Sequence, residues 1–226
     1  MLTLKDVHFA WPGAGQDCLR LPVLDLQAGR TLFLYGPSGC GKSTLLGLMA
    51  GVLQARSGQV QLLGKDWAEL RGGARDARRA DHVGVIFQQF NLLPYLSVLD
   101  NVILPCRFSK LRASRCQRGA QQSARSLLER VALPATLWDR RADALSVGQQ
   151  QRVAAARALI GQPELILADE PTSALDAARR DSFMQLLLGE CANSGSSLVF
   201  VSHDERLAPR FDEQLSLPEL NLAAAP

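Results

Sequence analysis

Long apolar runs are missing from this chain. No uninterrupted stretch reaches the roughly 20 residues that a membrane-spanning helix needs, so work at a membrane would require a partner. An excess of charge of one sign is missing too: the formal net charge is only +3 over 226 residues, which does not argue for a nucleic-acid surface. Five cysteines (Cys18, Cys40, Cys106, Cys116 and Cys191) are an odd number without C-x-x-C spacing. That pattern gives no zinc site and no disulfide framework, and it points to reduced thiols in a cytosol. Met1 to Asp6 lacks a charged region followed by an apolar one, so no secretory signal is read. What is present is 47% hydrophobic residues, enough for a core without covalent staples.

One stretch organises the rest. Gly36-Pro37-Ser38-Gly39-Cys40-Gly41-Lys42-Ser43-Thr44 follows the apolar run Leu32-Phe33-Leu34 and precedes Leu45 to Met49, a G-x-x-x-x-G-K-[ST] loop between a strand and a helix. Gly36, Gly39 and Gly41 let the backbone wrap around phosphate oxygens, and N–H groups at a helix start form an anion nest. Lys42 adds a point charge, and the Ser43 hydroxyl is a hard donor suited to Mg2+.

The remaining chain supplies strands and polar strand ends. Leu2 to Phe9 and Leu19 to Leu26 read as an antiparallel hairpin interrupted by Trp11 to Gly15. Trp11 reads either as an edge aromatic or as an exposed ring that stacks on a nucleotide base. Gly51 reads as a helix stop and Gly58 to Gly64 as a strand, while Lys65 to Ala80 reads as a solvated helix and loop. Val83 to Phe87 reads as a strand buried on both faces that ends at Gln88. Asn91 to Leu96 reads as an exposed apolar loop suited to an interface, and Ser97 caps a helix from Val98 to about Leu104. The basic residues Arg107, Lys110, Arg112, Arg115 and Arg118 read as a solvated face, with anionic lipid head groups as the alternative. Leu127, Leu128 and Val131 form the apolar face of a further helix that ends at Leu133-Pro134.

Three polar clusters follow. Ser146 caps a helix running from Val147 to Ile160; its start, with Gly148 and Gln149, is either a second anion site or simply a cap. Glu164 to Ala168 is a buried strand ending in Asp169 and Glu170, adjacent acids that need partners such as Mg2+ and water. Ser197 to Ser202 is another core strand, and it delivers His203 to the same edge, facing the γ-phosphate.

In this order the motifs resemble those of an ATP-binding cassette (ABC) ATPase, the nucleotide-binding subunit of an ABC transporter. Gly36 to Thr44 is similar to the Walker A loop, Gln88 to the Q-loop glutamine, and Leu145 to Gln149 to the signature motif. Leu165 to Glu170 is similar to the Walker B strand, Ser173 to Asp176 to the D-loop, and His203 to the switch histidine. The resemblance implies an α/β P-loop NTPase (RecA-like) core with an antiparallel β subdomain and an inserted α-helical subdomain. Residues 1–226 would form one ABC ATPase domain: 1–88 and 162–226 the core with the β subdomain, 89–161 the helical subdomain.

It also implies a mechanism. Two cassettes would sandwich two ATP molecules, each held by one Walker A loop (Gly36, Pro37, Ser38, Gly39, Cys40, Gly41, Lys42, Ser43, Thr44) and by Ser146, Gly148 and Gln149 of the other cassette. Trp11 would stack on adenine. Ser43, Asp169 and Gln88 would hold Mg2+, Glu170 would be the general base, Gln88 and His203 would sense the γ-phosphate, and Asp176 would link the two sites. The partner would be an integral membrane permease at the cytoplasmic face, with no nucleic acid. Phe87 to Pro94 and Leu167 to Asp176 are similar to ATPases of lipoprotein-release and macrolide-export systems, which implies export or mechanotransmission. An importer ATPase and a soluble cassette acting on ribosomes or DNA are the alternatives. Val147 stands where the family has glycine in Leu-Ser-Gly-Gly-Gln, and a β-branched residue there bears on dimer closure.

Overall fold

The computed structural model describes residues 1–173 and 175–223; Ala174, within the predicted D-loop, and residues 224–226 lie outside that description. β1 (Leu2–Phe9) and β2 (Leu19–Leu26) form the antiparallel hairpin, with Leu2 opposite Leu26 and Phe9 opposite Leu19. β3 (Thr31–Tyr35) leads through the phosphate loop into α1 (Lys42–Met49). β4 (Ser57–Leu62), β5 (Lys65–Asp66), α2 (Gly73–His82) and β6 (Val83–Ile86) follow. Four helices come next: α3 (Val98–Phe108), α4 (Lys110–Arg115), α5 (Ala120–Arg130) and α6 (Val147–Leu159). Then come β7 (Leu165–Asp169), α7 (Ala177–Ser194), β8 (Ser197–Val201), β9 (Glu213–Ser216) and α8 (Leu217–Leu220).

The strands make two sheets, an antiparallel one ordered β2-β1-β4-β5 and a parallel one ordered β6-β7-β8-β3-β9. In β1 the apolar spacing changes phase, from Leu2 and Leu4 to Val7 and Phe9, yet all four are buried. A bulge resets the face: the pairing with β4 shifts between Lys5 and His8, and Asp6 lies at φ 48°. Gly58 admits the bulge, since a Cβ there would stand 2.1 Å from the Asp6 carbonyl oxygen.

The inner strands of the parallel sheet are covered on both faces and run almost entirely apolar, whereas the edge strand β9 is polar and only partly buried. Leu32, Leu34, Leu165, Leu167, Val199 and Val201 point into one core with α1 and the antiparallel sheet. Alternate residues Phe33, Ile166, Ala168, Leu198 and Phe200 point into a second core with α3, α5, α6 and α7. Phe33, Phe200 and Phe211 meet there with ring centroids 5.3 to 6.3 Å apart. The result is the α/β architecture of a P-loop NTPase.

Several sequence expectations need correction. β6 stops at Ile86, and Phe87 is exposed rather than buried. α3 continues through Pro105 to Phe108, past the expected stop near Leu104; Cys106 still packs against the core and Ser109 N–H donates to the Pro105 carbonyl at 3.0 Å, while Phe108 itself is exposed. The Lys65–Ala80 stretch contains β5 and the buried Trp67, whose ring lies under Gly51 and donates to the Met49 carbonyl at 3.1 Å.

Arg112 is the sharpest correction, because it is 2% exposed rather than part of a solvated face. Its guanidinium donates to the Ile160 and Ala158 carbonyls at 2.7 Å each, groups that the end of α6 leaves without helical partners. Gly161 makes the room, since a Cβ there would stand 2.6 Å from Arg112 Cβ. Burial lowers the Arg112 pKa to about 10, so the group stays cationic at neutral pH.

Candidate nucleotide-binding site

Parallel strands bring their carboxyl ends to one sheet edge, where α/β proteins bind ligands. Here β3 delivers the phosphate loop, β7 delivers Asp169 and Glu170, and β8 delivers Ser202 and His203. β6 runs alongside β7 with Ile86 opposite Ala168, so exposed Gln88 leaves the sheet at that edge.

The loop itself is an open anion cradle. Gly41 precedes α1 at φ 102° and no side chain caps the helix, so the first-turn N–H groups remain available for an anion. Gly36 lies at φ 154°, and a Cβ there would stand 2.8 Å from Cys40 Sγ. Lys42 is 7% exposed and folds back along the loop, donating to the Gly36 carbonyl at 2.8 Å and the Pro37 carbonyl at 2.9 Å. Its ammonium lies 3.9 Å from Glu170 Oε1. A phosphate arriving in the cradle would exchange neutral carbonyl partners for charged ones.

Ser43 Oγ donates to Asp169 Oδ2 at 2.8 Å. Burial raises the Asp169 pKa, with the neighbouring Glu170 charge adding to the rise, against the Ser43 hydrogen bond and Lys42. A half-buried carboxylate beside a hydroxyl is a pair of hard oxygen donors suited to a cation, so these residues fit Mg2+. Glu170 sits at φ 43°, a strained conformation for a residue with a side chain, held by its N–H on the Val201 carbonyl at 3.0 Å. Its other carboxylate oxygen, Oε2, is 3.1 Å from His203 Nδ1.

A cavity of about 810 Å3 extends from the phosphate loop to Trp11, whose ring is half exposed and packs edge-on against Phe9 at 5.2 Å. Pro37, Ser38, Gly39, Cys40, Gly41 and Thr44 line the loop side.

Ser146, Gly148 and Gln149 are elsewhere. They line a separate cavity with Leu133, Arg179 and Phe183, and none of them reaches the one that holds Trp11 and the phosphate loop. Their helix start is closed by a reciprocal pair: Gln149 N–H donates to Ser146 Oγ at 3.4 Å, and Ser146 N–H donates to Gln149 Oε1 at 2.9 Å. Val147 projects from it half exposed. The Ser146-x-x-Gln149 spacing could have announced this reciprocal cap from the sequence. Two contributors carried no such signal: Pro218 and Asn221, which also line the nucleotide cavity.

The other end of α6 reaches the segment after Gln88. Arg157 donates to the Phe90 carbonyl at 2.5 Å and the Asn91 carbonyl at 2.6 Å, where both residues have positive φ.

A phosphate loop, a histidine at the neighbouring strand end and an acid pair at the next define a P-loop nucleotide hydrolase. Comparison with known proteins narrows the class. The family model described as ABC transporter matches residues 20–173. The chain is 39% identical over 211 residues to the lipoprotein-releasing system ATP-binding protein LolD of Novosphingobium aromaticivorans, covering 93% of this chain and 92% of that one. It is 39% identical over 219 residues to the uncharacterized ABC transporter ATP-binding protein YbbA of Escherichia coli, covering 95% and 94%. Among solved structures, the dimeric post-hydrolysis state of the ATP-binding cassette MJ0796 bound to ADP and Pi superposes with a TM-score of 0.84 at 34% identity, covering 96% and 94%. The chain belongs to the ABC transporter family; it is an ATP-binding cassette that binds and hydrolyses ATP.

Proposed function

We infer that this cassette works as a homodimer that powers a membrane-embedded permease at the cytoplasmic face, in an export or mechanotransmission system rather than an importer. One observation carries the dimer: the open phosphate cradle and the Ser146–Gln149 helix start face different cavities within one chain. A second chain related by a two-fold axis would set each helix start against the other's cradle, making two equivalent sites.

The site residues take these roles. Trp11 stacks on the base, Gly36 to Thr44 wrap the phosphates, and Lys42 transfers its ammonium from loop carbonyls to phosphate oxygens. Ser43 and Asp169, together with Gln88, would hold Mg2+, which would neutralise phosphate charge when bound. Glu170 accepts a proton from the attacking water, and His203, 3.1 Å away, orients that carboxylate and meets the γ-phosphate. Ser146 and Gln149 exchange their mutual cap for contacts to the partner's phosphates, and Gly148 adds its N–H to them. Arg157 then passes movement of α6 to the segment after Gln88.

The permease docks beside that segment. Phe87 and Phe108 are exposed on one groove that reaches buried Arg112, and Tyr95 is exposed nearby in sequence. No helix among the described residues is long and apolar enough to cross a membrane, consistent with anchoring through a partner. The 39% identity to a lipoprotein-releasing system subunit supports the export reading.

The test is to trap Glu170→Gln with ATP in its host membranes, solubilise gently and identify what co-purifies. A membrane protein with few spans and a large extracytoplasmic domain is the expected result. A many-span permease with a binding protein would establish an importer, and ribosomes or DNA factors without a membrane subunit would overturn transport.

A further inference from the structure

No nucleotide motif accounts for the segment after β9, Leu217-Pro218-Glu219-Leu220-Asn221-Leu222-Ala223. One end of it braces the phosphate loop. A Cβ on Gly36 would stand 2.9 Å from Pro218 Cδ, and one on Gly41 would stand 3.9 Å from the fully buried Leu217. The other end is stitched to the strand that leaves the Trp11 loop. Asn221 Oδ1 accepts from Arg20 N–H at 2.8 Å, Asn221 Nδ2 donates to the Cys18 carbonyl at 3.0 Å, and Leu222 N–H donates to the Arg20 carbonyl at 2.8 Å. Oδ1 also accepts from Ala223 N–H at 3.1 Å.

A primary amide can do this because it offers a donor and an acceptor side by side, so it satisfies an N–H and a C=O of one strand as a neighbouring strand would. Cys18 in turn closes the base of the Trp11 loop, its N–H donating to the Phe9 carbonyl at 2.8 Å. A short segment thus touches the phosphate wall through Pro218 and the base wall through Asn221.

We propose that Leu217 to Ala223 is a working part of the nucleotide site, and that Asn221 is a positioning residue for the base. By fixing Cys18 and Arg20 it holds the Trp11 loop at the distance from the phosphate loop that a nucleoside triphosphate spans. The proposal rests on the nucleotide reading of the cavity. It divides the segment's labour: Pro218 serves any polyphosphate, whereas Asn221 serves only ligands that carry a base.

The experiment compares ATP with inorganic tripolyphosphate, which has the phosphates and no base. Both are titrated by calorimetry, with magnesium, into the full-length protein carrying Glu170→Gln, with and without Asn221→Ala. The Kd for ATP rises about tenfold, roughly 1.4 kcal/mol, while the Kd for tripolyphosphate stays within about twofold. Asn221→Ser adds no charge and keeps a hydroxyl too short to serve both groups at once, so it raises the ATP Kd by a smaller factor, about threefold; it carries the same ratio test if Asn221→Ala does not fold. Equal weakening of both ligands would reduce Asn221 to a structural residue and overturn the proposal, as would unchanged ATP binding. Failure of the Glu170→Gln parent to bind ATP would instead remove the nucleotide reading beneath it.

Discussion

Two helices of this cassette begin with glycine-containing polar segments, and they treat their first turns in opposite ways. α1 opens behind Gly41 with no side-chain cap, and Lys42 in its first turn rests on loop carbonyls. α6 opens with a reciprocal cap between Ser146 and Gln149 and closes on the buried Arg112. The difference separates a site that is ready from one that must be opened. An uncapped first turn is an unmet demand for an anion. A capped turn has met that demand internally and binds a ligand only by giving up its own hydrogen bonds. On the proposed reading, the phosphate loop is the primary site of a single chain and the Ser146–Gln149 turn a latent one.

Breaking the open side has the largest effect. Lys42→Ala removes a buried, charge-assisted partner for phosphate and lowers ATP affinity by about 3 to 4 kcal/mol, on the order of a hundredfold to a thousandfold. Equilibrium titration of ATP measures it, and a loss under tenfold would mean the ammonium does not transfer to the phosphates.

Breaking the closed end of α6 comes next, and it reads out in stability rather than binding. Arg112→Met leaves the Ala158 and Ile160 carbonyls buried without their donor and costs about 2 to 3 kcal/mol in urea unfolding. A neutral result would mean that water replaces the guanidinium.

Opening the other end of α6 is milder. Ser146→Ala removes one half of the reciprocal cap and lowers stability by about 1 kcal/mol, and it weakens ATP-dependent association of two chains while leaving ATP binding to one chain intact. Loss of ATP binding by the isolated chain would put Ser146 in the primary site and erase the distinction.

The smallest effect lies in the connection from α6 to β7. Glu164 is partly buried, which raises its pKa, but hydrogen bonds from Arg115 and His82 outweigh burial and leave the value lowered. An acid whose folded-state pKa is lowered contributes stability that is present above its ordinary value, about 4.3, and is lost as pH falls through the lowered one. Glu164→Gln therefore destabilises by less than about 1 kcal/mol at pH 7, and its melting curve converges with that of the parent in acid. A difference that persists unchanged in acid would assign the effect to packing.

The open side was almost wholly legible in the sequence, and the closed side was not. Gly36 to Thr44, Asp169-Glu170 and His203 each follow an apolar strand, and parallel strands must deliver their ends to one edge, so local pattern was enough to bring them together. The Ser146-x-x-Gln149 cap is also local and was readable in principle. Arg112 was not, because its burial depends on carbonyls of Ala158 and Ile160 arriving from another helix, and nothing in Lys110-Leu111-Arg112 distinguishes it from its exposed neighbours. Asn221 pairs with Arg20 across almost the whole length of the chain, a contact that no window of sequence contains. The bulge at Asp6 was legible only as a phase change from Leu4 to Val7, whose meaning came from the opposing Gly58.

The claim that two chains complete each site is tested most directly by the mass of Glu170→Gln in solution. Light scattering on the purified protein with magnesium and either ATP or ADP decides it. The account predicts a dimer with ATP and a monomer with ADP, and loss of the ATP dimer in Ser146→Ala. A protein that binds ATP stoichiometrically yet stays monomeric would contradict it, because the open cradle would then be filled without the latent one.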